Sequence, residues 1–127
     1  MSTKHFVTAI NCMDGRVQLP VIDWMKKHSS ADFVDMITEP GPNKILAENS
    51  DGSLIQSLKK RVEISVVKHS SSQIAIVGHD DCAGNPVDKE TQLGQIKAAV
   101  RTVQSWGFQI LVIGLWVDNH WTVHKVL

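Results

Sequence analysis

Short apolar runs alternate with stretches of helical spacing along this chain, and that alternation constrains the fold more than any other feature. The runs are His5–Cys12 (HFVTAINC), Ala31–Thr38 (ADFVDMIT), Gln73–Gly78 (QIAIVG) and Phe108–Val117 (FQILVIGLWV). Each is short and bounded by turn residues, which reads as a strand, and the last two are apolar on both faces, as central parallel strands are. Between the first two runs, Pro20 stands where a first helical turn accepts proline, and Val21, Ile22, Trp24 and Met25 form an apolar face. Asp51-Gly52-Ser53 offers a turn and an N-cap to a long amphipathic helix, with Leu54, Leu58, Val62 and Val66 at spacing four and Lys59, Lys60 and Arg61 between them. Leu93, Ile96, Val100 and Val103 mark another helix, which Gly107 is placed to stop. The segment Glu39-Pro40-Gly41-Pro42-Asn43 is expected to be loop, because two prolines flanking a glycine cannot sit inside a helix or a central strand. Trp121–Leu127 is expected to be a short last strand, reached through a tight turn at Asp118-Asn119-His120.

Such alternation implies a parallel sheet covered on both faces, a three-layer α/β/α fold. The expected core strand order is 2-1-3-4, with a short fifth strand at the edge. With no internal repeat, linker or composition break, residues 1–127 read as a single domain. In that order strands one and three lie side by side at the topological switch point, where ligands bind beyond the carboxyl ends of the strands. Chemistry is therefore expected just after Cys12 and just after Gly78.

Composition narrows what that chemistry is. Thirteen basic against thirteen acidic residues give a formal net charge of +0, which argues against a protein that coats nucleic acid or anionic lipid. The longest apolar run, Phe108 to Val117, is half of what a bilayer crossing needs, and no basic-then-apolar leader opens the chain. No Gly-rich phosphate loop is present. Two cysteines are too few for a disulfide-rich secreted scaffold, so the expected setting is cytoplasmic.

Both cysteines fall where the topology places the site. Cys12-Met13-Asp14-Gly15-Arg16 follows strand one, and Gly78-His79-Asp80-Asp81-Cys82-Ala83-Gly84 follows strand three. Two thiolates and one imidazole supply three corners of a zinc tetrahedron. The plainer alternatives are two buried structural cysteines, or a disulfide closing a loop of about seventy residues. His5, His28, His69, His120 and His124 lack ligand-like spacing. Trp24, Trp106, Trp116 and Trp121 read as core or interface anchors.

Cys12-x-Asp14-x-Arg16 followed by His79-x-x-Cys82 resembles the paired signature motifs of the β-class carbonic anhydrases, including the glycine before the histidine. The run Gly114-Leu-Trp-Val-Asp118 is similar to that family's fourth strand and turn. The resemblance spans essentially the whole chain, which is shorter than many members and is expected to be without their N-terminal helical arm. It implies that Cys12, His79 and Cys82 hold Zn2+, with the fourth position left to water or hydroxide. It also implies that Arg16 keeps Asp14 ionised and turned away from the metal, so that Asp14 accepts a hydrogen bond from the hydroxide. In an opposite state Asp14 ligates zinc itself and closes the site. The implied function is reversible hydration of CO2 to bicarbonate in a homodimer or larger homo-oligomer. Hydrolysis of carbonyl sulfide or carbon disulfide, and a non-catalytic zinc-bound domain closed by Asp14, are the alternatives.

The chain departs from the family pattern after strand two, where members usually carry Arg-Asn-Ala-Gly. Thr38-Glu39-Pro40-Gly41-Pro42-Asn43 stands there instead. Glu39 is expected either beside the metal, adding an anion where a product anion rests, or as an exposed loop carboxylate. Asp80 and Asp81, between two ligands, are expected to accept hydrogen bonds near the metal or to face solvent, the latter favoured for Asp80.

Overall fold

The computed structural model describes residues 4–127. The chain runs β1 (Phe6–Cys12), α1 (Gln18–Ser29), β2 (Phe33–Glu39), α2 (Pro42–Glu48), α3 (Gly52–Glu63), β3 (Gln73–His79), α4 (Lys89–Gln104), β4 (Leu111–Val117) and β5 (Val123–Lys125). The sheet order is β2-β1-β3-β4-β5. The first four strands are parallel, and β5 pairs antiparallel with β4. This is the three-layer α/β fold with the strand order expected from the sequence.

Alternation along each strand sorts the core into two layers. Val7, Ala9, Ala75, Val77 and Leu115 face α1, packing against Val17, Val21 and Met25. Ile10, Ile37, Ile74, Ile76 and Trp116 face α2, α3 and α4, against Leu46, Ile55, Leu58, Val62, Ile96 and Val100. Burying one such aliphatic side chain contributes roughly 1.5–3 kcal/mol, so these two layers dominate stability. The helix starts follow their sequence signals. Asp51 accepts from the Leu54 N–H at 3.1 Å and Asp88 from the Thr91 N–H at 2.8 Å, satisfying donors that the first helical turn leaves free. No helix among the described residues is long and apolar enough to cross a membrane.

The structure corrects the expected loop at residues 39–43. Glu39 is the last residue of β2, and Pro42 opens α2. Proline is excluded from a helix interior but not from its first position, where its missing N–H has no partner to lose. Gly41, with φ of 63°, supplies the left-handed entry. The helix after Asp51 is also modified. It runs regularly to Glu63 and then widens into a π-helical turn over Ile64–Lys68. β4 begins at Leu111 rather than Phe108, and β5 is confined to Val123–Lys125.

Candidate metal centre

Cys12 closes β1, His79 closes β3, and Cys82 lies in the turn that follows. β1 and β3 are hydrogen-bonded neighbours, so the topology brings all three together. Their ligand atoms lie within 4.8 Å of one another, and all three residues are buried. The two sulfurs are 3.8 Å apart and both cysteines are free. That separation is far beyond the S–S bond of about 2.05 Å. Two Zn–S bonds of about 2.3 Å at the tetrahedral angle set sulfurs about 3.8 Å apart. His79 Nδ1 donates to the Asp80 carbonyl at 2.7 Å, which leaves the lone pair on Nε2. That Nε2 is buried and has no hydrogen-bond partner. A buried nitrogen left unpaired beside two thiols fits a metal ligand whose tautomer is fixed from its far side.

The electrostatics separate the two thiols. Burial pushes the Cys12 thiol up, but the adjacent His79 ring and the N–H groups of Gly41 and Asp14 outweigh it and bring it down to about 7. Burial and then the neighbouring Cys12 push the Cys82 thiol up to about 11. Two thiolates this close repel, and a divalent cation between them removes the conflict.

Several residues that the sequence did not single out hold this geometry. Gln92, buried on α4, donates through Nε2 to the His79 carbonyl at 2.7 Å. Its Oε1 accepts from the His79 N–H at 3.2 Å and from Asn43 Nδ2 at 3.1 Å. Asn11 Oδ1 accepts from the Cys12 N–H at 2.9 Å, and Gln18 Nε2 donates to the Cys12 carbonyl at 2.7 Å. The loop bearing Cys82 interlocks with the β2–α2 connection through Gly84, where a Cβ would stand 2.7 Å from Pro40 Cβ and 2.8 Å from the Pro40 carbonyl carbon. One signal for Gln92 was present: it lies four residues before Ile96, on the buried face of α4, as a polar interruption of an apolar stripe.

Asp14 and Arg16 form the pair expected of them. Asp14 caps the short 3-10 turn Gly15–Val17, accepting from the Arg16 N–H at 2.9 Å. Arg16 Nε donates to both carboxylate oxygens at 3.1 and 3.2 Å, and Nη2 to Oδ2 at 2.7 Å. These bonds hold the Asp14 carboxyl at about 2, well below its usual range. Arg16 also reaches the loop that carries Cys82, with Nη1 donating to Asp81 Oδ2 at 3.2 Å and Nη2 to the Asp81 carbonyl at 3.1 Å. Asp80 enters through its backbone, its N–H donating to the Val117 carbonyl at 2.9 Å and its carbonyl accepting from His79. Glu39 is the register partner of Cys12 on the neighbouring strand, but its carboxylate is turned to α3 and is not a free loop carboxylate. Its Oε2 accepts from Arg61 Nη2 on α3 at 2.5 Å. A pocket of about 220 Å³, lined by Cys12, Met13, Asp14, Pro40, Ala83 and Gly84, opens beside Cys12.

Residues 2–127 match the family model described as "Putative carbonic anhydrase". No curated protein matches the chain in sequence. Among solved structures, carbonic anhydrase from Streptococcus mutans superposes with a TM-score of 0.66 at 16% identity, covering 100% of this chain and 86% of that one. A tetrameric β-carbonic anhydrase from Sordaria macrospora gives 0.65 at 12% identity, covering 99% and 82%. The apo form of a carbon disulfide hydrolase gives 0.52 at 10% identity, covering 97% and 78%. At these identities the likeness is one of fold, and the family match covers nearly the whole sequence. The chain belongs to the carbonic anhydrase family and is built on the β-carbonic anhydrase architecture.

Proposed function

We propose that this protein is a zinc-dependent hydro-lyase of β-carbonic anhydrase type, reversibly hydrating CO2 to bicarbonate. Cys12 Sγ, His79 Nε2 and Cys82 Sγ would hold the ion. Zinc in such a set supplies Lewis acidity, which makes water a nucleophile near neutral pH. Asp14, kept ionised by Arg16, accepts a hydrogen bond from that nucleophile and fixes its direction. The proton released would leave through water or an outer acid such as a mobile histidine. Met13, Pro40, Ala83 and Gly84 wall the pocket without charge, which suits a small apolar linear molecule. Glu39, drawn off by Arg61, adds no anion there. The observation that carries this reading is the unpartnered, buried His79 Nε2 beside two sulfurs 3.8 Å apart.

Stopped-flow CO2 hydration on zinc-replete protein tests it. The wild type is expected to turn over, and Asp14→Ala to lose about 100-fold in kcat/KM. Undiminished turnover in that variant would remove Asp14 from the mechanism. The carbon disulfide hydrolase of the same fold, together with the apolar wall that Met13, Pro40, Ala83 and Gly84 give the pocket, supports a second reading as a hydrolase of carbon disulfide or carbonyl sulfide. Turnover of those substrates without CO2 hydration would select it. The closed, non-catalytic zinc domain is less favoured, since both Asp14 oxygens are engaged by Arg16. The same reading carries a cytoplasmic homodimer or larger homo-oligomer. The exposed Phe33, Ile64 and Val67 support it, at 45, 48 and 60% exposure, and size-exclusion chromatography with light scattering checks it.

A further inference from the structure

Arg16 is more than a partner for Asp14. Its guanidinium side chain is 45% exposed, and a two-residue ion pair at that exposure contributes roughly 0–1 kcal/mol by itself. Such a pair would spend much of its time apart. Here the guanidinium is also fixed on two further sides. Asp81 accepts from Nη1 and Nη2 with its carboxylate and its carbonyl, and the Trp121 ring lies against it, 4.7 Å from the Arg16 Cζ.

Trp121 comes from a different part of the chain, the turn joining β4 to β5, and its backbone is left-handed with φ of 62°. A bulky side chain avoids that conformation, and it persists only where the surroundings enforce it. The enforcement is visible around Asp118. Its Oδ1 accepts from the His120 and Thr122 N–H groups at 2.9 and 3.0 Å, its carbonyl accepts from the Trp121 N–H at 3.0 Å, and its N–H donates to the Thr122 carbonyl at 3.0 Å. His124 Nε2 on β5 adds a fifth tie, to Asp118 Oδ2 at 2.7 Å. The turn is thus built to present an indole to Arg16, and strain is concentrated at the residue that makes the contact.

We propose that Trp121 is a positioning residue which, by stacking on Arg16, keeps Asp14 engaged and off the metal ligands. The site is thereby held open from the edge of the sheet. This rests on the role given to Asp14 above, since without a gate at Asp14 there is nothing for Arg16 to restrain.

Two measurements on the full chain separate the parts. In metal-free protein, solvent exchange and 15N relaxation of the Arg16 Nε–H report its immobilisation directly. Trp121→Leu keeps an apolar side chain but loses the ring, and is expected to raise that exchange rate about two- to fivefold, the range of an exposed cation–π contact. Trp121→Phe keeps a ring and is expected to stay near wild type. In cobalt-substituted protein, the visible spectrum and its response to added azide report whether the fourth position is open. The Leu variant is expected to need about two- to fivefold more azide, the Phe variant to be rescued, and Asp14→Ala to abolish the difference. An Arg16 signal unchanged in the Leu variant overturns the proposal. So does a loosened Arg16 with wild-type azide binding. Failure of the wild type to take up cobalt overturns the metal reading and the gate with it, and the metal-free measurement on Arg16 identifies that as the step that failed.

Discussion

Gln92 offers the most quantitative test of how the fold positions the candidate ligand His79. Gln92→Met preserves most of the side-chain volume and removes every hydrogen bond the amide makes. Three buried groups then lose that partner: the His79 N–H, the His79 carbonyl and the Asn43 amide. Each buried polar group left unpaired costs about 1–3 kcal/mol. With neighbours relaxing together, the sum is about 3–5 kcal/mol. Domains of this kind have about 5–15 kcal/mol in all, so the variant should fold but unfold about 10–20 °C lower. Urea denaturation of the metal-free protein is the assay, and an unchanged m-value shows that the native and unfolded states are otherwise comparable. Lys97→Met, an exposed change on the same helix, is the control and should stay within about 0.5 kcal/mol. Because Gln92 grips the peptide that carries His79, zinc affinity should fall about 10- to 100-fold as well. A stability loss below about 1 kcal/mol would refute the reasoning, showing that water or a rearranged Asn43 satisfies these groups at little cost.

Other consequences are as direct. Gly84→Ala places a methyl 2.7 Å from Pro40 Cβ and 2.8 Å from its carbonyl carbon, so the two loops must part. We expect about 1–3 kcal/mol of destabilisation and weaker zinc binding, measured by thermal melts and chelator competition. Glu39→Gln should leave turnover unchanged and cost at most about 1 kcal/mol, because the Arg61 side chain it pairs with is 37% exposed. A change in turnover would return Glu39 to the site. Asp118 has its carboxyl held down to about 2 by the His124 hydrogen bond and the Thr122 and His120 N–H groups. A depressed carboxylate stabilises the fold above its ordinary value of 3.8 and loses that contribution as pH falls through about 2. Asp118→Asn should therefore show a shallower loss of stability over that interval, read by circular dichroism.

The strand order and the clustering of the candidate ligands were legible because both depend on local pattern. Gln73–Gly78 is apolar on both faces, and Cys12 and His79 end the strands that such a pattern makes neighbours. Helix α2 was hidden by a rule applied too broadly, since Pro42 forbids a helix interior while favouring a helix start. Reading Glu39 as loop also cut short the alternation from Ile37. Continued by one step, it sends Glu39 to the face that holds α3. Arg61 waiting there, twenty-two residues on, is a tertiary fact that no local spacing encodes. The same holds for Trp121 over Arg16, whose meeting depends on the β4–β5 turn crossing to the mouth of the site. Gln92 lay between these cases, visible as a polar residue on a buried stripe, but its partner was a peptide group and so left no mark in the pattern.

The donors of Cys12 and His79 are gripped through peptide bonds, by Asn11, Gln18 and Gln92, inside a sheet with two well-filled layers of its own. Assembly of the polypeptide would thus not have to wait for an ion at the candidate site, unlike in small fingers that stay unravelled without zinc. If the candidate site carries zinc as proposed, cargo and scaffold are separable, and starvation for metal would leave behind an intact, refillable vessel rather than a denatured one.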